Sequence, residues 1–172
     1  MTMSDTGEHG NCLVVGVAPS QAAEVIHEAA RFASMLGASL VLAAVDPTRY
    51  TTGRNQDGTV TAFSVDPDAS DVITEHVDPE LEERLRSMLA PTRVPWSLRA
   101  MAGDPAQELA LLADELDAIA IVVGTRKPGL RTTAHEFFSG SVAVHLAHRQ
   151  RRPVIVVPIA PVSHGQRLPW EI

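Results

Sequence analysis

The chain is short of the residues that carry most recognisable chemistry. Cys12 is its single cysteine, so no internal disulfide framework and no paired-cysteine metal knuckle is available. Aromatic residues make up 4% of the 172 positions while 45% are hydrophobic, which leaves Val, Leu, Ile and Ala to build the core. Basic residues do not dominate: 14 Lys and Arg stand against 21 Asp and Glu, a formal net charge of −7. That balance argues against a general nucleic-acid binder, whose phosphate contacts demand a basic face. No apolar run approaches the ~20 residues that a membrane-spanning helix requires. The opening MTMSDTGEHGN lacks the basic start and apolar stretch of a signal peptide. The expected location is therefore the cytoplasm, with residues 1–10 a flexible tail.

Catalytic signatures are missing as well. The first strand ends in VGVAPS rather than GxGxxG, and no GxxxxGK[ST] occurs anywhere. A phosphoacceptor receiver domain would need acids after that strand, where Ala18-Pro19-Ser20 stands. His135-Glu136 has no second histidine four positions on, so it is not a zinc-protease signature. His145 and His148 share a helix face but have no third ligand at supporting spacing, and no metal is expected. No Ser-His-Asp or Cys-His arrangement stands out, so the chain is not expected to be an enzyme.

What the sequence does contain is a regular alternation of elements. Cys12–Val17 is an apolar strand. A helix follows, capped by Ser20, with Val25, Ala29, Phe32, Ala33 and Leu36 on one face and Gly37 as its stop. Ser39–Val45 is a second strand, ended by Asp46-Pro47. Residues 47–77 show no sustained period apart from a short alternation at Thr59–Val65. A connection of roughly 30 residues is long for an α/β unit and reads as an insertion. Asp78-Pro79-Glu80 opens a helix striped with Leu81, Leu85, Met88 and Leu89. Val94, Trp96, Leu98 and Ala100 alternate as a strand, and Pro95 within it points to a sheet edge. Asp104 and Gln107 form a capping-box pattern ahead of Leu109, Leu112, Ala113 and Leu116. The strand Ile119–Val123, a helix over about Ser141–Arg149 and the strand Val154–Val157 complete the series.

One strand per helix predicts an α/β fold with a parallel sheet covered on both faces. The last strand is apolar throughout and has no helix after it, so a second copy of the chain is expected against Val154, Ile155, Val156 and Val157. The acids at 114, 115 and 117 read as a solvated helix end, and Arg149, Arg151 and Arg152 as charges placed at a helix C-terminus.

The stretch IVVGTRKPGL, followed by GSVAVHLAHRQRRPVIVVP, carries the main functional signal. A strand runs into a basic, glycine-bearing loop, and Gly140-Ser141 opens a helix. The bare N–H groups of such a junction attract anions. With CLVVGV, MLGASLVLAAV and AGDPAQELALLADELDAIAIVVGT before it, this stretch resembles the universal stress protein family over about residues 11–46 and 78–158. The resemblance implies a five-stranded parallel sheet in the order 3-2-1-4-5 and a homodimer through the last strand. It also implies, in the nucleotide-binding branch, ATP or AMP at the carboxyl ends of strands one and four.

Carried over residue by residue, the nucleotide contacts fall on Val17, Ala18, Val45, Val123, Gly124, Gly140, Ser141 and Val142, with Arg126, Lys127 and Gly129 in the loop. The pattern departs from the family in two places. Ala18 stands where an aspartate usually receives ribose or adenine. Lys127 stands where a second glycine is usual, and twelve residues rather than nine separate it from Gly140. Arg126, Lys127 and Arg131 could supply cationic contacts in exchange. Two main readings stay open, with weak ATP hydrolysis as a third: a stress-response regulator sensing an adenine nucleotide, and a dimeric interaction protein with a degenerate phosphate loop. The domain is expected to span 11–158, followed by a tail over 159–172.

Overall fold

Apolar runs of four to eight residues, each bounded by turn residues, have only one economical arrangement: side by side, with helices sealing both faces. The computed structural model adopts it, and describes residues 10–18, 23–54, 60–64, 73–74, 77–125, 142–159, 161 and 165. In chain order the elements are β1 (Cys12–Val17), α1 (Ala23–Leu36), β2 (Ser39–Asp46), β3 (Arg49–Arg54), β4 (Val60–Ser64), β5 (Ile73–Thr74), α2 (Pro79–Leu89), a 3-10 turn (Ala90–Thr92), β6 (Trp96–Ala102), α3 (Pro105–Glu115), β7 (Ala120–Gly124), α4 (Val142–Arg149) and β8 (Val154–Val157).

Five strands form the main sheet in the order β6-β2-β1-β7-β8, all parallel. Numbered within that sheet, the order is 3-2-1-4-5, as expected. Period-two alternation divides the strand residues between two cores. Leu13, Val15, Leu40, Leu42 and Val122 face α1 and α2, meeting Val25, Ile26, Ala29, Leu81, Leu85 and Leu89. Cys12, Val14, Val41, Ala43 and Ile121 face α3 and α4, meeting Leu109, Leu112, Leu116 and Leu146. Each fully buried leucine contributes about 1.5–3 kcal/mol by leaving water. Gly16 lies on the α3 face, where a Cβ would sit 2.9 Å from Leu109 Cδ1; glycine is what lets α3 settle that close to β1.

The helix starts behave as their sequences suggest. Asp78 accepts a hydrogen bond from the Glu80 N–H at 3.0 Å, and Asp104 from the Gln107 N–H at 2.9 Å. The Ser20 cap lies outside the described residues. Gly37 closes α1 with φ +62°. Leu36, expected on the buried stripe, is instead 49% exposed, because it occupies the last turn of the helix. The edge strand begins at Trp96, so Pro95 precedes it rather than interrupting it. The Pro95 carbonyl still accepts from the Leu40 N–H at 2.9 Å, a role that needs no proline N–H.

Between β2 and α2 the sequence suggested one short strand, which is β4. The structure adds β3 and β5, forming an antiparallel three-stranded sheet in the order β3-β4-β5. Strands β3 and β4 lie against the β6 edge of the main sheet.

The acids at the end of α3 are not merely solvated, and Arg152 does more than balance a helix end. Its side chain donates to the Ala118 carbonyl at 2.8 Å and to Asp117 at 2.9 Å, and also to Asp114. Glu115 pairs with Arg99 at 3.5 Å. Arg152 therefore ties the α3–β7 turn to the approach of β8, at the amino edge of the sheet.

Candidate site at the carboxyl edge of the sheet

Strands β1 and β7 are neighbours whose following helices lie on opposite faces: α1 packs on the first core, and α4 on the second through Val142, Ala143 and Leu146. That reversal makes their carboxyl ends a topological switch point, where open α/β sheets hold ligands. The hydrogen-bond registers show the consequence. Pairing of β1 with β7 stops at Val15 and Val122. On the flanks, β1 pairs with β2 as far as Val17, and β7 pairs with β8 as far as Gly124. The two central strands thus part before they end, while each stays held by its outer neighbour. Past Val15 and Val122 the two strands share no ladder pair.

The residues expected there divide accordingly. Val17 is 7% exposed and turned into the α1 core, whereas Ala18 just beyond it is exposed. Val45 is half-buried against the α3-side core, and Val123 is 4% exposed within it. Gly124 is half-buried at the exit of β7, and Val142 opens α4 against the same α3-side core. Val17 and Ala18 thus lie at the end of β1, and Val123 and Gly124 at the end of β7, past the last β1–β7 pair, with Val17 and Val123 in the cores on opposite faces. Arg126, Lys127, Gly129, Gly140 and Ser141 lie outside the described residues.

One neighbouring carboxylate is a candidate to replace the one missing at Ala18. Asp46 ends β2, two residues beyond Ala44, which pairs with Val17. Its Oδ1 already accepts from the Thr48 N–H at 2.8 Å and the Thr48 hydroxyl at 2.6 Å, while Oδ2 lies 3.6 Å from Arg49. Asp46 is engaged in holding the turn into β3.

Sequence reasoning missed two features of this edge. Glu108 is a buried acid at the β6–α3 corner, 8% exposed and packed against Gly103, whose φ of +130° favours glycine. Its position in a helical stripe of leucines gave no warning. The second is Thr125, whose hydroxyl accepts from the Ile159 N–H at 2.7 Å. No pattern in the sequence connects residues so far apart. Among the described residues, no group of three His, Cys, Asp or Glu is placed to hold a metal ion.

A family model for the universal stress protein family matches residues 12–158. The chain belongs to the universal stress protein family. Among solved structures, a universal stress protein from Archaeoglobus fulgidus is 24% identical, covering 87% of this chain and 94% of that one with a TM-score of 0.56. A universal stress protein from the same organism in complex with dAMP is 22% identical, covering 87% and 98%, with a TM-score of 0.55. A third, in complex with cAMP, is 23% identical, covering 87% and 98%, with a TM-score of 0.52. No curated protein matches the sequence. Among the described residues, no helix is long and apolar enough to cross a membrane.

Proposed function

We propose that this universal stress protein is a stress-response regulator that binds an adenine nucleotide, ATP or AMP, in the crevice between the carboxyl ends of β1 and β7. The observation that carries the reading is the early end of the β1–β7 ladder between two flanking ladders that continue. Two structural neighbours, described as complexes with dAMP and cAMP, support the class of ligand. The base and ribose would lie towards Val17, Ala18 and Val45. The phosphates would lie towards Gly124, Arg126, Lys127, Gly129 and the Gly140-Ser141-Val142 start of α4. A helix start and cationic side chains supply attraction for phosphate oxygens.

The absent carboxylate at Ala18 weakens this site by one charge-assisted hydrogen bond, about 1.5–3 kcal/mol or roughly ten- to a hundredfold in affinity. In this reading the chain binds its ligand as a regulator. A homodimer through β8 belongs to the same proposal. Val156 is 45% exposed on that edge strand, and Val144 on neighbouring α4 is 52% exposed. Apolar area of that kind is what a second copy would cover.

A second reading has an observation in its favour: Asp46, at the end of the strand beside β1, is engaged by Thr48. On that reading the chain is a dimeric interaction protein with a vestigial crevice. Denaturing freshly purified protein and identifying released nucleotide by chromatography and mass spectrometry separates the two. Released ATP or AMP supports the sensor. A blank, together with an unchanged melting temperature at millimolar ATP, supports the interaction protein.

A further inference from the structure

Sulfur is unevenly placed in this chain. Cys12 has no exposed surface, Met101 is 3% exposed in the α3-side core, and Met88 packs half-buried against the core under α1 and α2. Among the described residues Met35 is the exception, with 70% of its surface open to solvent. It stands in the last turn of α1, just before Gly37 turns the chain away with φ +62°. The Asn11 side-chain amide donates to the Gly37 carbonyl at 2.8 Å, so the helix end is held without help from the Met35 thioether. Leu36 beside it is also exposed. Arg31 and Phe32 lie four and three residues back, next to Met35 on the helix surface. Glu28 accepts from Arg31 Nε and Nη2 at 2.9 and 2.6 Å, with the guanidinium 5.1 Å from the centre of the Phe32 ring. The Nη1 hydrogens of Arg31 have no acceptor among the described residues.

We propose that Met35 is a reversible oxidation site, which takes one oxygen atom from a peroxide while the chain stays folded. The thioether sulfur attacks one peroxide oxygen. An S–O bond forms as the O–O bond breaks, sulfur gives up two electrons, and the second oxygen leaves as water with both peroxide hydrogens. The product is a polar sulfoxide on an exposed surface, so no polar group is buried by the change. Its oxygen accepts hydrogen bonds, and the open Nη1 donors of Arg31 stand one turn away. A thiol-dependent sulfoxide reductase restores the thioether: two thiols become a disulfide and the oxygen leaves as water. Cys12 and Met101 do not compete, because their sulfurs are sealed in the two cores. Asn11 and Gly37 lead into the starts of β1 and β2, so the site lies at the opposite edge of the sheet from the proposed nucleotide site and is independent of that reading.

The test treats the full-length protein with hydrogen peroxide, folded and in urea, and follows oxygen uptake at each methionine by peptide mass spectrometry. Folded, Met35 should react within about threefold of its rate in urea, while Met101 should be slowed roughly tenfold or more and recover in urea. Met35→Leu should abolish oxygen uptake on the peptide spanning α1 and leave the slow reaction of Met101 unchanged. Protein oxidised at Met35 should keep the melting temperature of the untreated protein. A mixture of the two epimer-specific methionine sulfoxide reductases with dithiothreitol should remove the oxygen from the folded chain. Slowing of Met35 by about tenfold or more in the folded protein would overturn the assignment, as would oxidation of Met101 as fast as Met35. A Met35 sulfoxide that lowers the melting temperature, or that the reductases leave in place, would equally contradict a reversible site.

Discussion

Restoring the missing carboxylate is the sharpest perturbation of this site. Ala18 is exposed at the end of β1, one residue past the last pair with β2. Ala18→Asp therefore buries nothing and should change stability by no more than about 0.5 kcal/mol. Asp46 ends the adjoining strand, with its Oδ1 held by Thr48. Repulsion from it in water-like surroundings is at most about 0.5 kcal/mol. Against this, a charge-assisted hydrogen bond to ribose or adenine is worth about 1.5–3 kcal/mol. The net expectation is ATP affinity raised roughly ten- to a hundredfold, with the melting temperature of the ligand-free protein unchanged. Isothermal titration of wild type and Ala18→Asp with ATP, AMP and GTP reads this out directly. The gain should be common to ATP and AMP, because the new contact lies at the nucleoside end. Equal affinity in both proteins, or a gain that depends on the number of phosphates, would refute the placement of the base and ribose at β1.

Three further outcomes test the framework around the site. Leu109→Ala should cost about 2–5 kcal/mol in urea denaturation and Gly16→Ala about 1–3 kcal/mol, whereas the double variant should cost less than their sum because the new Cβ fills part of the void. Arg152→Ala should destabilise by about 1–3 kcal/mol, since it strips the Ala118 carbonyl of its side-chain donor and leaves Asp114 and Asp117 facing each other; ATP affinity, at the opposite edge, should stay within about twofold. Val156→Glu should convert a dimer to monomer in sedimentation velocity without altering the circular dichroism spectrum, and a chain that sediments as a monomer before mutation would remove the β8 interface.

Most of the main sheet was legible because its cause is local. Apolar runs such as LVVGV and IVVG can be satisfied only as buried strands, and the leucine stripes of α2 and α3 have a helical period. Strand β3 was not legible. Its sequence RYTTGR has two arginines, two threonines and a glycine at a register shift, and its order comes from pairing with β4 rather than from a burial pattern. Leu36 shows the opposite failure, since periodicity placed it on a buried stripe that the helix end leaves uncovered. At the site, Gly124 announced itself as a strand-exit glycine, but the reason it must be glycine is Ile159, a residue 35 positions away. Arg152 is a similar case: three acceptors on the α3–β7 turn define its role, and sequence spacing carries no trace of them. Side chain to backbone ties across such separations follow from tertiary geometry alone.

The central claim is that the split between β1 and β7 holds an adenine nucleotide. Its most direct test is calorimetric titration of nucleotide-stripped protein with ATP, using GTP and inorganic triphosphate for comparison. The account predicts saturable heat with one ATP per chain, weaker or absent heat with GTP, and none with triphosphate at the same concentration. Equal heats for all three would mean a phosphate site without base recognition, and no heat at millimolar ATP would contradict the claim outright.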